Sequence, residues 1–412
     1  MKYLAVLGRQ SEISLAELEA ILDGSCRTLS SPKIGGNFGG PPPCPSPVHV
    51  TFSASGPIDV RRLGGVLKLG VELDGSTIEY LKKLPEGKVT IGVSDYSKGA
   101  TKRSAQGEAL KLKKILVRHG RSVRVVENKE AVLSTATSLH NGLSGKNPRK
   151  VELIKTDEGW FRVIGVQDID AYSRRDQARP ARDAKVGMLP PKLAQILINL
   201  CGPLEPGATV LDPFCGTGVV LQEAILMGYR AYGTDISERM VEHSEKNLKW
   251  LVKDRNSHFE GVRSLARRGV AREPRGDGSE RRAPRNELFY LSQGDATSYK
   301  WQQPVTAVAC EGYLGKPFSK IPTEMELKEQ KQECAGIVLG FLKNLARQVK
   351  AGTPVVIAVP AWLREDGHYE RMDLLDEIEG MGYNVNNKSR EGLLYHREEQ
   401  IVARDIIILR KK

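Results

Sequence analysis

The run Val210-Leu211-Asp212-Pro213-Phe214-Cys215-Gly216-Thr217-Gly218 constrains this chain more than any other. Apolar residues ending on an acid, then a glycine-rich turn, then Val220, Leu221, Ala224 and Ile225 at helical spacing predict a strand, a tight turn and a helix. Gly216 and Gly218 let backbone approach a ligand where a Cβ would collide. Open α/β sheets bind ligands at such a turn, beyond the C-terminal edge of a strand. The surrounding sequence supports that architecture. From Leu193 on, helical patterns alternate with short apolar strands at residues 209–212, 230–235, 305–310 and 354–359, the signature of a parallel sheet. Residues 383–389 and 401–409 read as two strands without a helix between them, a closing antiparallel pair.

The acids at the strand ends narrow the ligand. Asp235, in Gly233-Thr234-Asp235-Ile236, ends the second strand at a distance suited to a carboxylate that grips both ribose hydroxyls of a nucleoside. A nicotinamide dinucleotide enzyme places an acid there too. Against it, Leu221 stands where the third glycine of that fingerprint belongs, and Asp212 would sit badly beside a pyrophosphate. Asp212 suits the cationic amino acid end of S-adenosylmethionine. Gly294-Asp295-Ala296 follows at the spacing of a third cofactor segment, where an aspartate accepts the adenine amino hydrogen. The cofactor expected is S-adenosylmethionine, held by Asp212, Pro213, Phe214, Cys215, Gly216, Gly218, Asp235, Ile236, Asp295 and Ala296.

The first half reads differently. Strands are expected at residues 3–7, 48–53, 66–73, 88–93, 122–126, 151–155 and 160–166. Ser14 and Glu17 match a capping box opening a helix to Leu22. A basic helix over 104–119 carries Ala109, Leu112, Ile115 and Leu116 on one face and leaves Lys111, Lys113, Lys114 and Arg118 for solvent or phosphate. Residues 31–47 and 253–284 are too rich in Gly, Pro, Ser or Arg for regular structure and read as loops, the second a flexible insertion. This divides the chain into an α+β module (1–166), a charged link (167–185) and an α/β domain (186–412). The surplus of 62 Lys and Arg over 50 Asp and Glu, net +12, attracts polyanions. Arg174, Arg175, Arg179 and Arg182 in the link are candidates for phosphate contact, with a solvated link as the alternative. Six cysteines without a CxxC pair or metal-ligand spacing, no membrane-length apolar run, and an N-terminus that reads as a strand rather than a signal peptide fit a cytoplasmic protein without a metal.

The cofactor run, preceded by Gly187-Met188-Leu189-Pro190-Pro191-Lys192-Leu193-Ala194, resembles the THUMP-containing RNA methylases, nearest to the tRNA (guanine-N2) methyltransferases that modify guanosine 10. The first half is similar more loosely, through its element order and residues 134–141. The resemblance implies a Rossmann-like seven-stranded class I methyltransferase domain behind an α+β THUMP-like RNA-binding domain. It also implies that Leu189 and Pro190 pack beside the methionine end of the cofactor, and that the substrate is RNA, tRNA above all. The family usually carries Asp-Pro-Pro-Tyr, or Asn first, after the fourth strand. Here the strand continues into Glu311-Gly312-Tyr313. An exocyclic amine is a poor nucleophile because its lone pair is shared with the ring. An acidic oxygen and a backbone carbonyl that accept its hydrogens direct that lone pair to the methyl group, and the aromatic ring stacks on the base. Glu311, Gly312 and Tyr313 are the expected catalytic residues. An alignment anchored on the tyrosine would put Cys310 in the acid's place. A DNA amino-methyltransferase and a catalytically silent RNA-binding protein are the other readings.

Overall fold

Two sheets carry the chain, one in each of two units, Met1–Ser173 and Arg174–Lys412. The computed structural model describes residues 1–22, 48–183, 188–253, 288–387, 393–397 and 400–412. The expected loops at 31–47 and 253–284 lie outside the described residues, apart from Lys253, which ends a helix.

In the first unit the elements are β1 (Lys2–Leu7), α1 (Ser11–Leu22), β2 (His49–Ser53), β3 (Val66–Glu72), α2 (Thr77–Lys82), β4 (Val89–Asp95), α3 (Lys102–Arg118), β5 (Val123–Val125), α4 (Thr135–His140), β6 (Lys150–Thr156) and β7 (Gly159–Val166). Their strands form one sheet in the order β2-β1-β3-β7-β6-β4-β5. Only β4 pairs in parallel, with β5 and β6; the rest is antiparallel. On α3, Ala105, Ala109, Leu112 and Leu116 are buried, and Lys111, Lys114 and Arg118 are exposed, as the spacing predicts. Lys113 is half-buried. A reciprocal capping box between Thr101 and Ser104 closes its N-terminus.

The box expected at α1 does not form. That helix begins at Ser11, so Ser14 lies inside it and its hydroxyl donates to the Gln10 carbonyl at 3.0 Å. Glu17 turns away and accepts the Gly64 and Gly65 amides, each at 2.8 Å. A second buried carboxylate lies within the sheet. Glu152 of β6 accepts Lys68 Nζ of β3 at 2.5 Å, Ser94 Oγ of β4 at 2.6 Å and Ser138 Oγ of α4 at 2.6 Å. Lys68 Nζ also donates to the Leu133 carbonyl at 2.6 Å.

A helix, α5 (Ile169–Gln177), occupies half of the stretch read as a link. The second unit continues α6 (Pro191–Leu200), β8 (Thr209–Asp212), α7 (Val219–Leu226), β9 (Arg230–Asp235), α8 (Glu238–Lys253), β10 (Phe289–Gln293), β11 (Ala307–Glu311), α9 (Glu324–Leu345), β12 (Pro354–Leu363), β13 (Tyr369–Arg371), α10 (Leu375–Gly380), β14 (Tyr383–Val385), β15 (Leu394–Tyr395) and β16 (Val402–Lys411). Sheet order is β10-β9-β8-β11-β12-β16-β14, with β13 and β15 added as short pairs on β12 and β16. Neighbours from β10 to β12 are parallel, and β16 inserts antiparallel between β12 and β14. Counted from β8, the order 3-2-1-4-5-7-6 with the last strand reversed is that of a Rossmann-like class I methyltransferase domain. Strand order turns back at β8, so the groove between the C-terminal ends of β8 and β11 is the topological switch point. The α10 helix ahead of the closing strands, and β10 itself, carried no pattern strong enough to be read from sequence. No described helix is long and apolar enough to cross a membrane.

Candidate cofactor and catalytic site

Acids stand at the C-terminal end of β8, β9 and β11, and just past β10, because each parallel strand delivers its last residue to the same edge of the sheet. Asp212 ends β8 and is 3% exposed. The Phe214 amide donates to its Oδ1 at 3.1 Å. Burial pushes its carboxyl well above the usual range against that hydrogen bond, and the neighbouring charges of Asp235 and Glu311 push the same way. A buried carboxylate held so is relieved by a cation. Asp235 ends β9, and its two oxygens accept Gly216 N–H and Ser237 N–H, each at 2.9 Å. It thereby ties the glycine turn to the second strand. Ile236, next in sequence, is 69% exposed at the sheet edge. Beyond β10, the Gly294 amide donates to the Asp235 carbonyl at 2.9 Å, which sets Asp295 beside Asp235. Asp295 is exposed and accepts both the amide and the hydroxyl of Thr297. Ala296 is buried, its carbonyl held by Asn344 Nδ2 of α9 at 2.9 Å.

The two turn glycines have different tasks. Gly216 has φ +50°, and a Cβ there would meet nothing nearer than the Phe214 carbonyl at 3.9 Å, so its outer side is open. Gly218, with φ +81°, would drive a Cβ to within 2.9 Å of Ser244 Oγ on α8. The reason for its glycine is helix packing, where sequence reasoning expected ligand approach. Two α8 side chains that no motif indicated hold the turn from behind. Ser244 Oγ donates to the Gly216 carbonyl at 2.8 Å, and Asn247 Nδ2 to the Thr217 carbonyl at 2.8 Å. Cys215 is a buried thiol, and Phe214 packs edge-on against Phe341 with ring centres 5.3 Å apart. Pro213 is buried in the same turn. Leu189 is buried and Pro190 precedes the first turn of α6, a helix that packs on α7, β11 and β12.

At the end of β11, Glu311 faces the edge and Gly312 binds back to the sheet, its amide donating to the Ala358 carbonyl at 2.9 Å. Glu311 is held by Arg404 of β16, whose Nε donates to Oε1. Burial raises the Glu311 carboxyl above its ordinary value, and the Arg404 charge opposes the rise. Tyr313 packs half-buried against the core, its hydroxyl pushed up by burial and by Glu333 of α9. The next bend is braced by Gln330, whose Oε1 accepts the Lys316 amide at 2.7 Å. Cys310 is fully buried inside the strand, and Glu311, next in sequence, is half-buried at its end.

Arg404 was not found from the sequence. A signal exists: Arg404-Asp405 interrupts an otherwise apolar strand from Val402 to Leu409. Tyr395 is half-buried on β15, and Arg404 lies over its ring at 6.0 Å. The arginine group of the link also divides. Arg175 is buried in a two-point pair with Glu223, at 2.6 and 3.2 Å, and Arg179 is 3% exposed. Arg174 and Arg182 stay on the surface. The four described cysteines are buried thiols, and no group of potential metal ligands occurs among the described residues.

The chain is similar to several known proteins. A family model described as DNA methylase matches residues 145–246. The tRNA (guanine(10)-N2)-dimethyltransferase of Methanothermobacter thermautotrophicus is 46% identical over 95 residues, 22% of this chain and 27% of that one. Its counterpart from Methanocaldococcus jannaschii is 48% identical over 114 residues, 25% and 32% of the two chains. That from Pyrococcus abyssi is 48% identical over 67 residues, 16% and 20%. The matches thus span a third or less of these relatives' length. Among solved structures, TrmN from Thermus thermophilus aligns over 100% of both chains at 17% identity, with a TM-score of 0.44. Over the matched stretches, this chain is homologous to the archaeal tRNA (guanine(10)-N2)-dimethyltransferases.

Proposed function

We propose that this chain is an S-adenosylmethionine-dependent RNA methyltransferase that methylates an exocyclic amine, guanine N2 of tRNA, in the cytoplasm. The observation that carries the reading is the row of acids along one sheet edge, Asp212, Asp235, Asp295 and Glu311, around a glycine turn whose outer side is open. The residues fit the cofactor. Asp212 is a buried acid suited to the cationic amino acid end. Asp235 is fixed by two amides for the ribose, Ile236 offers apolar surface to the adenine, and Asp295 accepts from its amine. Leu189 and Pro190 flank the methionine end. When bound, S-adenosylmethionine supplies an electrophilic methyl carbon on a positively charged sulfur.

The chain's own residues then prepare the amine. Glu311 accepts one amine hydrogen and takes up the proton shed after transfer. The Gly312 carbonyl accepts the other hydrogen, and Tyr313 stacks on the base, so that the nitrogen lone pair faces the methyl group. Residues 1–166 serve as a THUMP-like module that holds the RNA, aided by the net charge of +12 and the exposed Lys111, Lys114 and Arg118 of α3.

A methylation assay decides between substrates. Unmodified tRNA transcript should yield N2-methylguanosine by nucleoside mass spectrometry, and duplex DNA should yield no methylated base. Methylation of DNA, or cofactor binding without turnover on any cellular RNA, would replace this reading by one of the others. RNA affinity should fall steeply with salt and drop on removal of residues 1–166; a salt-independent affinity argues against the RNA-holding role.

A further inference from the structure

The exocyclic amine of a nucleobase sits beside a ring nitrogen that carries a free lone pair. An acceptor and a donor held side by side therefore recognise it. Glu311 and Arg404 form such a pair. On β12, Ala358 lies opposite Glu311, and Pro360, two residues further, lies opposite Arg404. The arginine stem spans β12 to bring Nε to Glu311 Oε1. The Arg404 side chain is 6% exposed and that of Glu311 16%, with Tyr395 against the guanidinium. Among the described residues, no side chain or carbonyl accepts from the two terminal guanidinium nitrogens, and none donates to Glu311 Oε2. None of these atoms is among the buried polar atoms lacking a partner in the described structure.

We propose that Arg404 is a positioning residue for the amine acceptor: it fixes Glu311 through Nε, keeps that carboxylate charged, and presents its terminal amines to the ring nitrogen beside the target amine. The pair explains how this chain manages with Glu311-Gly312. Glutamate is one methylene longer than aspartate, and glycine lacks the rigidity of the proline usual there. A charge-assisted hydrogen bond from a second strand supplies the restraint that the loop itself does not. The charged group that acts on Glu311 is Arg404 from β16; Glu311 in turn raises the Asp212 carboxyl of β8 and the Cys310 thiol of its own strand, and Glu333 of α9 is turned to Tyr313. Only Arg404 favours the ionised carboxylate. The inference rests on the amino-methyltransferase reading above.

The test is single-turnover methylation of unmodified tRNA transcript against pH, for the parent and for R404M, R404K, E311Q and the double variant E311Q/R404M. Cofactor calorimetry checks folding. The parent rate should rise with pH through a midpoint above the ordinary carboxylate range. R404M should lose roughly 100-fold at neutral pH, move that midpoint upward and recover part of the loss in alkali. R404K should keep the parent midpoint at a reduced rate. E311Q should abolish the pH limb, and adding R404M to it should cost less than R404M alone. A purely structural arginine gives a pH-independent loss instead. A parent midpoint in R404M, or a limb that survives E311Q, overturns the proposal. Should R404M not fold, R404K and E311Q still separate the outcomes. If the parent methylates no tRNA, the functional reading falls. The pair is then judged alone by carbon-13 NMR of glutamate carboxyls, with Glu311 assigned through E311Q. Its titration should lie higher in R404M than in the parent and match the parent in R404K; an unmoved midpoint in R404M, or a shifted one in R404K, rejects the pairing.

Discussion

Among the described residues, each unit holds a largely buried cross-strand ion pair, Lys68–Glu152 in the first and Arg404–Glu311 in the second, and the two differ in what surrounds them. In the first unit, Lys68 and Glu152 are 1% and 0% exposed, and both oxygens of Glu152 have protein donors. In the second, Arg404 and Glu311 are 6% and 16% exposed, and one oxygen of Glu311 has no donor among the described residues. Taking charges out of water is costly in both places, and full hydrogen bonding offsets that cost only in the first. A sealed pair specifies how β3, β4, β6 and α4 meet. An open pair leaves its remaining valence to a ligand. The comparison teaches that burial alone does not mark a functional charge; burial with one unsatisfied, outward-facing atom does.

The comparison breaks first on stability. Lys68→Met strands the Glu152 carboxylate in the sheet and should cost about 3–5 kcal/mol, the usual loss when one partner of a buried pair is removed. Arg404→Met should cost much less, because Glu311 still reaches water. Urea unfolding of the full chain, with hydrogen exchange resolving β3 and β6, measures both. Equal costs would mean the two pairs are alike. The double change Lys68→Met with Glu152→Met should recover much of the loss, since a well-packed apolar pair of similar volume replaces a buried ion pair at little cost.

The next effect belongs to the open pair. Glu311→Ala should slow methyl transfer by about 100- to 1000-fold, or roughly 2.7–4 kcal/mol of transition-state stabilisation, with cofactor affinity unchanged. Glu311→Gln keeps an acceptor oxygen and should retain some activity. Tyr313→Ala should weaken base stacking, and Tyr313→Phe should be mild. Single-turnover rates on tRNA decide it; a Glu311→Ala variant as fast as the parent makes the carboxylate a bystander.

How much of this was legible beforehand follows the range of the interactions. Asp212, the glycine turn and Asp235 are coded locally, by a strand that ends on an acid and a turn that needs a positive φ. The four parallel strands that the pattern named fall at the expected places for the same reason. The closing antiparallel pair was also visible, as two strands without room for a crossover helix. Arg404 and Lys68 were not, because their partners lie 93 and 84 residues away and meet only through strand order. Their common mark was in plain view: charge within an apolar strand, Lys68 in β3 and Arg404-Asp405 in β16. Ser14 and Glu17 show the opposite failure, a correct local pattern in a helix that begins earlier, with Glu17 drawn off to the Gly64 and Gly65 amides.

Cofactor affinity comes next in size and sharpens what an open edge means. Asp235→Ala removes the carboxylate proposed for the ribose and should weaken S-adenosylmethionine binding by about 1.5–3 kcal/mol, read by calorimetry. Asp212 adds a pH dependence. Burial raises its carboxyl in the free protein, and a bound ammonium group would lower it, so binding releases a proton. Affinity should therefore climb as pH rises from the ordinary carboxylate range through the raised value, and level off above it. Calorimetry in buffers of different ionisation enthalpy should show the proton leaving; affinity that falls over that window counts against Asp212 as the cation partner.

The smallest effect tests whether polar groups of the first unit act on stability alone. Thr101 caps α3: its hydroxyl accepts the Ser104 amide at 3.1 Å, and the Ser104 hydroxyl accepts the Thr101 amide at 3.0 Å. Ser104 also donates to Asp95 at 3.0 Å, which joins the cap to the end of β4. Thr101→Ala leaves a first-turn amide to water and should cost about 1 kcal/mol, within a range of roughly 0.5–2. Ser14→Ala is the control. Its hydroxyl donates to a carbonyl one turn earlier in its own helix, an arrangement that adds little and slightly favours bending, so its loss should be smaller than that of Thr101. Neither change should alter cofactor affinity, and the methylation rate should follow only the folded fraction. Denaturation midpoints at a constant slope would rank the two variants. A Ser14→Ala cost matching that of Thr101→Ala would restore Ser14 as a cap and locate the start of α1 later than Ser11.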